Sequence, residues 1–270
     1  MNVIDTARAN SRRRPAIIGI CGAQGSGKTT LAGALTKRLA GLAQPAASLS
    51  IDDLYLTQAK RHKLARDVHP LLATRGVPGT HDIALGIAVF DGLAKGLATH
   101  LPRFDKACDD RAPYADWDLA PQDCEVLIFE GWCVGARPQS AQELVRPVNL
   151  LEAQEDAAGT WRHFANNALA GVYQELFGRI DKLVLLAAPD FDCVFDWRMQ
   201  QESDLEASLA KDAPKTMNAC QIARFIQHYE RLTRHILSEM PARADLVVRL
   251  DQQRRPLEIQ KRRVDQHRPE

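Results

Sequence analysis

The octapeptide Gly22-Ala23-Gln24-Gly25-Ser26-Gly27-Lys28-Thr29 constrains this chain more than any other stretch, because it fits the pattern G-x-x-x-x-G-K-[ST]. Before it stands the apolar run Ala16 to Ile20, too short for a helix. After it Leu31, Leu35, Leu39 and Leu42 repeat at near-helical spacing until Gln44-Pro45. A strand, a glycine loop and a helix in this order gather backbone N–H groups around a phosphate and aim a helix N-terminus at it. Residues Gly22, Ala23, Gln24, Gly25, Ser26, Gly27, Lys28, Thr29 and Thr30 are therefore expected to hold nucleotide phosphates. Lys28 should reach the β- and γ-phosphates, and the Thr29 hydroxyl should ligate Mg²⁺.

The same alternation runs on through the chain. Strands are expected at Ala47 to Ile51, Leu101 to Phe104, Glu125 to Phe129, Lys182 to Ala187 and Asp245 to Leu250. Amphipathic helices are expected around Ile83, Ile87, Phe90 and Leu97, and around Ile222, Phe225, Ile226, Tyr229, Leu232 and Ile236. Short apolar strands alternating with such helices imply an α/β three-layer sandwich, a central parallel sheet with helices on both faces. One domain over residues 16–252 is expected. Polar connections at 54–82 and 139–177 are too long to be idle and are expected to carry substrate contacts. Residues 1–15, with Arg12 to Arg14, and 253–270, with Arg254, Arg255 and Lys261 to Arg263, read as solvated tails.

Composition excludes several classes. The formal net charge of +1 gives no overall bias toward nucleic acid or an anionic membrane, so any phosphate site is local. The six cysteines form no C-x-x-C pair and no metal-spaced cluster, which suits reduced thiols in a cytoplasmic protein. No apolar run reaches the length of a membrane span, and Met1 to Pro15 lacks the apolar segment of a signal peptide. The expected partner is a small molecule, with neither nucleic acid nor membrane involved.

Two acidic positions sit where such a sheet binds its ligands, beyond the carboxyl ends of the strands. Glu130 follows the apolar strand and can stand beside a metal, or be a solvated strand-end carboxylate. Asp52 and Asp53 end the second strand. Either can accept a proton from an attacking hydroxyl, or cap a helix. Adjacent residues on an extended segment point to opposite sides, so only one of the pair is expected to face the cleft.

Ser50-Ile51-Asp52-Asp53-Leu54-Tyr55-Leu56-Thr57, taken with Arg75-Gly76-Val77-Pro78-Gly79-Thr80-His81-Asp82, resembles the D-glycerate 3-kinase family. That family is related to uridine kinase, phosphoribulokinase and bacterial pantothenate kinase. Phe104-Asp105-Lys106, Asp110-Arg111, Phe129-Glu130-Gly131-Trp132, Asn166 with Leu169, and Trp197-Arg198-Gln200-Gln201-Glu202 extend the match from about Ile17 to Leu250. The resemblance implies an ATP- and Mg²⁺-dependent transfer of the γ-phosphate to a small hydroxylated metabolite, with D-glycerate first among acceptors. It also implies a helical lid at about 191–218. Asp52 then takes the place of the catalytic aspartate in the D-x-F-Y motif of uridine kinases, with Leu54 where Phe is usual. Asp53, Tyr55, Arg75, His81, Asp82, Lys106 and Arg111 would line the acceptor pocket, the arginines suiting a carboxylate. Arg198 would close over the phosphates, and Thr29 and Glu130 would hold the metal. Phe225 to Arg234 is similar to an uncharacterised bacterial branch, which leaves a nucleoside, pantothenate or a sugar as alternative acceptors. A nucleotide-hydrolysing switch is the rival from another class. Asp156-Ala-Ala-Gly159 fits D-x-x-G, but it lies after the Glu130 strand and the chain has no N-K-x-D.

Overall fold

The computed structural model describes residues 2–11, 15–208 and 217–262. Its main sheet contains β1 (Ala16–Gly22), β2 (Ala46–Ser50), β3 (Val126–Gly131), β4 (Lys182–Ala187), β5 (Leu246–Leu250) and β6 (Pro256–Lys261), in spatial order β6-β5-β4-β1-β3-β2. The first five are mutually parallel and β6 runs antiparallel to β5. Each central strand is a continuous apolar run because successive side chains serve opposite faces. Ile17 and Cys21 of β1 join Leu127 and Phe129 of β3 and Leu185 of β4 in one core. Ile18 and Ile20 join Val126, Ile128, Val184 and Leu186 in the other.

Helices close both faces. On the first lie α4 (Ile83–Ala94), with Val89, Phe90 and Leu93, and α7 (Val172–Phe177), with Tyr173 and Leu176. On the second lie α1 (Asn2–Asn10), α2 (Lys28–Ala40) and α8 (Asp192–Ser208), giving Ile4, Ala7, Ala32, Leu39, Val194 and Trp197 to the core. The long helix α9 (Ala219–Glu239) serves both, with Tyr229 and Ile236 on one side and Ile222 and Ile226 on the other. The remaining helices, α3 (Gln58–Asp67), α5 (Leu150–Glu155) and α6 (Thr160–Ala170), fold the two long connections.

Four expectations change. The N-terminal segment is no tail over residues 2–10: Ile4 and Ala7, one helical turn apart, dock on the sheet, and Arg8 pairs with Glu125. Residues 256–261 of the expected C-terminal tail add the edge strand β6; Arg12 to Arg14 and residues 263–270 lie outside the described residues. The strand expected at Leu101 to Phe104 divides, because Pro102 interrupts it. His100–Leu101 pairs with Asp118–Leu119, and Phe104–Asp105 forms a hairpin with Asp110–Arg111. Finally, β2 stops at Ser50, whose hydroxyl accepts the Asp52 N–H at 3.2 Å and starts a 3₁₀ turn over Ile51–Leu54. Of the expected lid, α8 is described to Ser208; residues 209–216 are not.

Candidate active site

The loop between β1 and α2 has the geometry its glycines allow. Gly25 and Gly27 have φ of 78° and 85°, and a Cβ on Gly25 would lie 2.6 Å from the Trp197 Cβ of α8. Gly27 caps α2 without any side-chain hydrogen bond, so the N–H groups of the first turn are left for an anion. Buried oxygens of Gln24, Ser26 and Glu130 face this region without a partner. Thr29 Oγ1 donates to Glu130 Oε1 at 2.9 Å, while Glu130 Oε2 is unpaired on a residue only 2% exposed. An unpaired carboxylate oxygen beside a hydroxyl is a hard-oxygen donor set of the kind Mg²⁺ takes together with phosphate oxygens and water. No group of three His, Cys, Asp or Glu residues suited to a metal exists among the described residues. Any metal here therefore needs oxygens from outside these side chains to complete its shell.

Asp52 stands across from this loop. Its Oδ1 accepts from Tyr55 Oη and its Oδ2 from Lys106 Nζ, both at 2.8 Å. Burial pushes its pKa up, but the charges of Lys106 and Lys28 and the hydrogen bonds from Lys106 and Tyr55 outweigh that and hold it at about 2. The carboxylate is ionised throughout the physiological range. Lys106 arrives on the tip of the 104–111 hairpin, where Asp105 Oδ1 accepts the N–H groups of Ala107 and Cys108 at 2.8 and 3.2 Å. In a 3₁₀ turn neighbouring side chains diverge by about 120°, so Asp53 points elsewhere. It accepts Arg103 Nη1 at 3.1 Å and Phe104 N at 3.2 Å. Burial raises its pKa despite the Arg103 charge. Expected as a substrate contact, Asp53 is spent on anchoring the hairpin.

The other acceptor candidates divide in the same way. Tyr55 and His81 pair across an antiparallel bridge and stack at 4.7 Å between ring centroids. Tyr173 Oη accepts the Gly79 N–H at 2.9 Å and lies 2.6 Å from His81 Nδ1. Tyr173 Oη already accepts the Gly79 amide, so donating its own proton to His81 Nδ1 uses both of its hydrogen-bonding roles; this assignment puts the histidine proton on Nε2, which has no partner. Burial lowers the His81 pKa to about 4, so the ring is neutral. Arg75 pairs with Asp109 and lies 5.6 Å from the Phe104 ring centroid. Asp82 and Arg111 are turned on each other at 3.0 Å. Asp82 also caps α4 by accepting Leu85 N at 3.2 Å, and Arg111 donates to Tyr55 O at 3.2 Å. They brace the wall of the cleft rather than offering free groups. Arg198 pairs with Glu202 of its own helix and lies over the Phe225 ring, 5.8 Å from its centroid.

Asp109, Tyr173 and Tyr229 were not legible as contributors. Each acts through a residue far away in sequence; Asp109 and Tyr173 lie outside every motif read above, and Tyr229 enters there only as a helix position within the Phe225 to Arg234 stretch.

A model of the phosphoribulokinase/uridine kinase family matches residues 17–144. A Schizosaccharomyces pombe protein described as an uncharacterized kinase, mug58, is 36% identical over 226 residues, spanning 80% of this chain and 79% of its own. The chloroplastic D-glycerate 3-kinase of Arabidopsis thaliana is 28% identical over 262 residues, 90% of this chain. This chain spans only 54% of that relative. Among solved structures, a D-glycerate 3-kinase from Cryptococcus neoformans superposes with a TM-score of 0.79 at 25% identity, over 96% of this chain and 95% of that one. No helix among the described residues is long and apolar enough to cross a membrane.

Proposed function

Since the chain belongs to the phosphoribulokinase/uridine kinase family of ATP- and Mg²⁺-dependent kinases, we propose that its acceptor is D-glycerate, phosphorylated to 3-phosphoglycerate. The observation that carries this reading is the ionised Asp52 carboxylate held between Lys106 and Tyr55 and within the field of Lys28. A kinase of hydroxyl acceptors needs such a group beside its phosphate loop, and a switch that only hydrolyses nucleotide does not. The two D-glycerate 3-kinases among the relatives support the choice of acceptor.

In this reading Asp52 accepts a hydrogen bond from the acceptor hydroxyl and takes its proton as the new O–P bond forms and the bond to the leaving ADP oxygen breaks. A carboxylate this acidic orients the hydroxyl first and receives the proton late, which suits a loose phosphoryl-transfer transition state. Lys28 and the free N–H groups of the loop carry charge on the β- and γ-phosphates. Thr29 and Glu130 would hold Mg²⁺, which would offset further phosphate charge. Arg75 and Lys106 receive the acceptor carboxylate, and the His81 Nε2–H donates to one of its oxygens. Arg198 contributes by leaving Glu202 when the lid closes on nucleotide.

A coupled assay of ATP consumption tests the acceptor. Purified protein is given D-glycerate, pantothenate, uridine and pentose phosphates in parallel, with products identified by mass. The expected result is ATP-dependent formation of 3-phosphoglycerate. No phosphorylated acid at saturating glycerate, with another acceptor turned over, overturns the substrate.

A further inference from the structure

Arg75, whose charge acts on Lys106 and Tyr55, is carried by residues 74–82, a stretch of irregular backbone between the 3₁₀ turn Pro70–Ala73 and α4. Such a segment fixes a guanidinium only if its own peptide groups are fixed. Asp109 and Phe104 hold the side chain. The backbone behind it is held by two aromatic residues from other parts of the fold. Tyr229 Oη on α9 donates to the Arg75 carbonyl at 3.0 Å, and Trp132 Nε1, just past β3, donates to the Gly76 carbonyl at 2.9 Å. The two rings meet edge to face at 4.9 Å, and each residue is 3% exposed.

The contact leaves no room for adjustment. Gly76 has a φ of 132°, and a Cβ there would lie 2.2 Å from Tyr229 Oη, so the phenol rests directly on the glycine. The Gly76 N–H donates to Thr80 Oγ1 at 3.0 Å, and that hydroxyl donates to Val77 O at 2.7 Å, closing the turn from within. A tyrosine and a tryptophan needed only as core filler would not have to aim their polar ends at two consecutive carbonyls. Phenylalanine would fill the space of the Tyr229 ring without the hydroxyl.

We propose that Tyr229 and Trp132 are positioning residues for acceptor recognition: they clamp the two peptide groups that follow Arg75 so that the guanidinium meets the acceptor carboxylate at a fixed angle. This rests on the reading of Arg75 as an acceptor ligand. Trp132 follows Glu130 by two residues, so the clamp also ties the acceptor arginine to the strand that carries the Thr29 partner.

The test is a double-mutant cycle of Tyr229→Phe and Arg75→Ala, with Trp132→Phe as an independent probe of the same clamp. KM for the acceptor identified by the screen above, kcat, ATP affinity and Tm are measured for each. Tyr229→Phe keeps the ring and strands one buried carbonyl, so acceptor KM should rise about tenfold while ATP affinity stays within about twofold. In the Arg75→Ala background that rise should vanish, because the clamp then has nothing to position. Trp132→Phe should shift acceptor KM in the same direction. An unchanged acceptor KM in Arg75→Ala overturns the reading of Arg75 itself. A raised KM in Arg75→Ala, with Tyr229→Phe still adding its full effect in that background or weakening ATP equally, overturns the clamp alone.

Discussion

Replacing Asp52 with Asn is the sharpest perturbation of this site. The amide oxygen can still accept from Tyr55 Oη, which lies 2.8 Å from Oδ1. The new NH₂ replaces Oδ2 and faces Lys106 Nζ at the same 2.8 Å, so two donors meet where a charge pair stood. The loss to the fold is small. The Lys106 side chain is 61% exposed, and exposed pairs contribute about 1 kcal/mol or less. The loss to chemistry is the proton acceptor, and removing a general base costs about 10²-fold or more in turnover. Asp53→Asn leaves an oxygen for the Phe104 amide, and Arg103 retains Asp118 at 2.7 Å, so turnover should fall less than about tenfold. Single-turnover phosphorylation by rapid quench, with nucleotide affinity measured separately, compares the two. ATP should bind both variants nearly as the wild type. A larger rate loss at Asp53 than at Asp52 refutes the assignment, and equal losses refute the argument from the 3₁₀ turn.

Two further outcomes follow from the same geometry. Lys28→Ala should abolish transfer in a protein that still folds, as judged by circular dichroism and Tm; retention of most of the wild-type turnover would mean the glycine loop is not the phosphate site. The pH dependence of stability should show the buried histidines. Burial lowers His81 and His228 to about 4 from an ordinary value near 6.5, so below pH 6.5 the unfolded chain takes up protons that the folded chain refuses. Above pH 6.5 the rings are neutral in both states and cost nothing; between pH 6.5 and 4 they lower stability by up to about 1.4 kcal/mol per pH unit for each ring. Asp52 gives up its own contribution only below about pH 4, where its folded value of about 2 lies under the ordinary carboxylate range. Urea unfolding at pH 7.5, 6.0 and 5.0 should show the decline, and His81→Gln should flatten it; an unchanged slope in that variant would remove His81 from the account.

What the sequence made legible has one physical character, and what it hid has another. The phosphate loop is a local object. Gly25 and Gly27 must take left-handed φ within a few residues of Lys28, so spacing alone specifies it. The central strands are also local, because burial on both faces writes itself as an unbroken apolar run. Asp52 was found through its neighbours, yet the reason it rather than Asp53 faces the cleft lies in Ser50, which ends the strand one residue early and starts a turn. An apolar alternation cannot show that.

The remaining contributors are set by tertiary closure. Lys106 meets Asp52 across 54 residues, Tyr173 meets His81 across 92, and Tyr229 meets Arg75 across 154. Lys106 is named in the sequence through the resemblance, but its pairing with Asp52 is not, and the two tyrosines supply ordinary polar groups of the kind any core position carries. Only the fold gives them a role. The two tails misread in the sequence make the same point from the other side. Arg-rich flanks look solvated by composition, but Ile4 and Ala7 recur at one helical turn and residues 256–261 find an open edge of the sheet. Short segments of modest propensity are ordered by the surface they meet. The same holds in the active site: the phosphate chemistry is encoded locally and the acceptor pocket is assembled from distant parts. Acceptor choice can therefore change within such a fold while the phosphate loop stays the same, which is why the glycerate assignment and the kinase assignment stand or fall on different experiments.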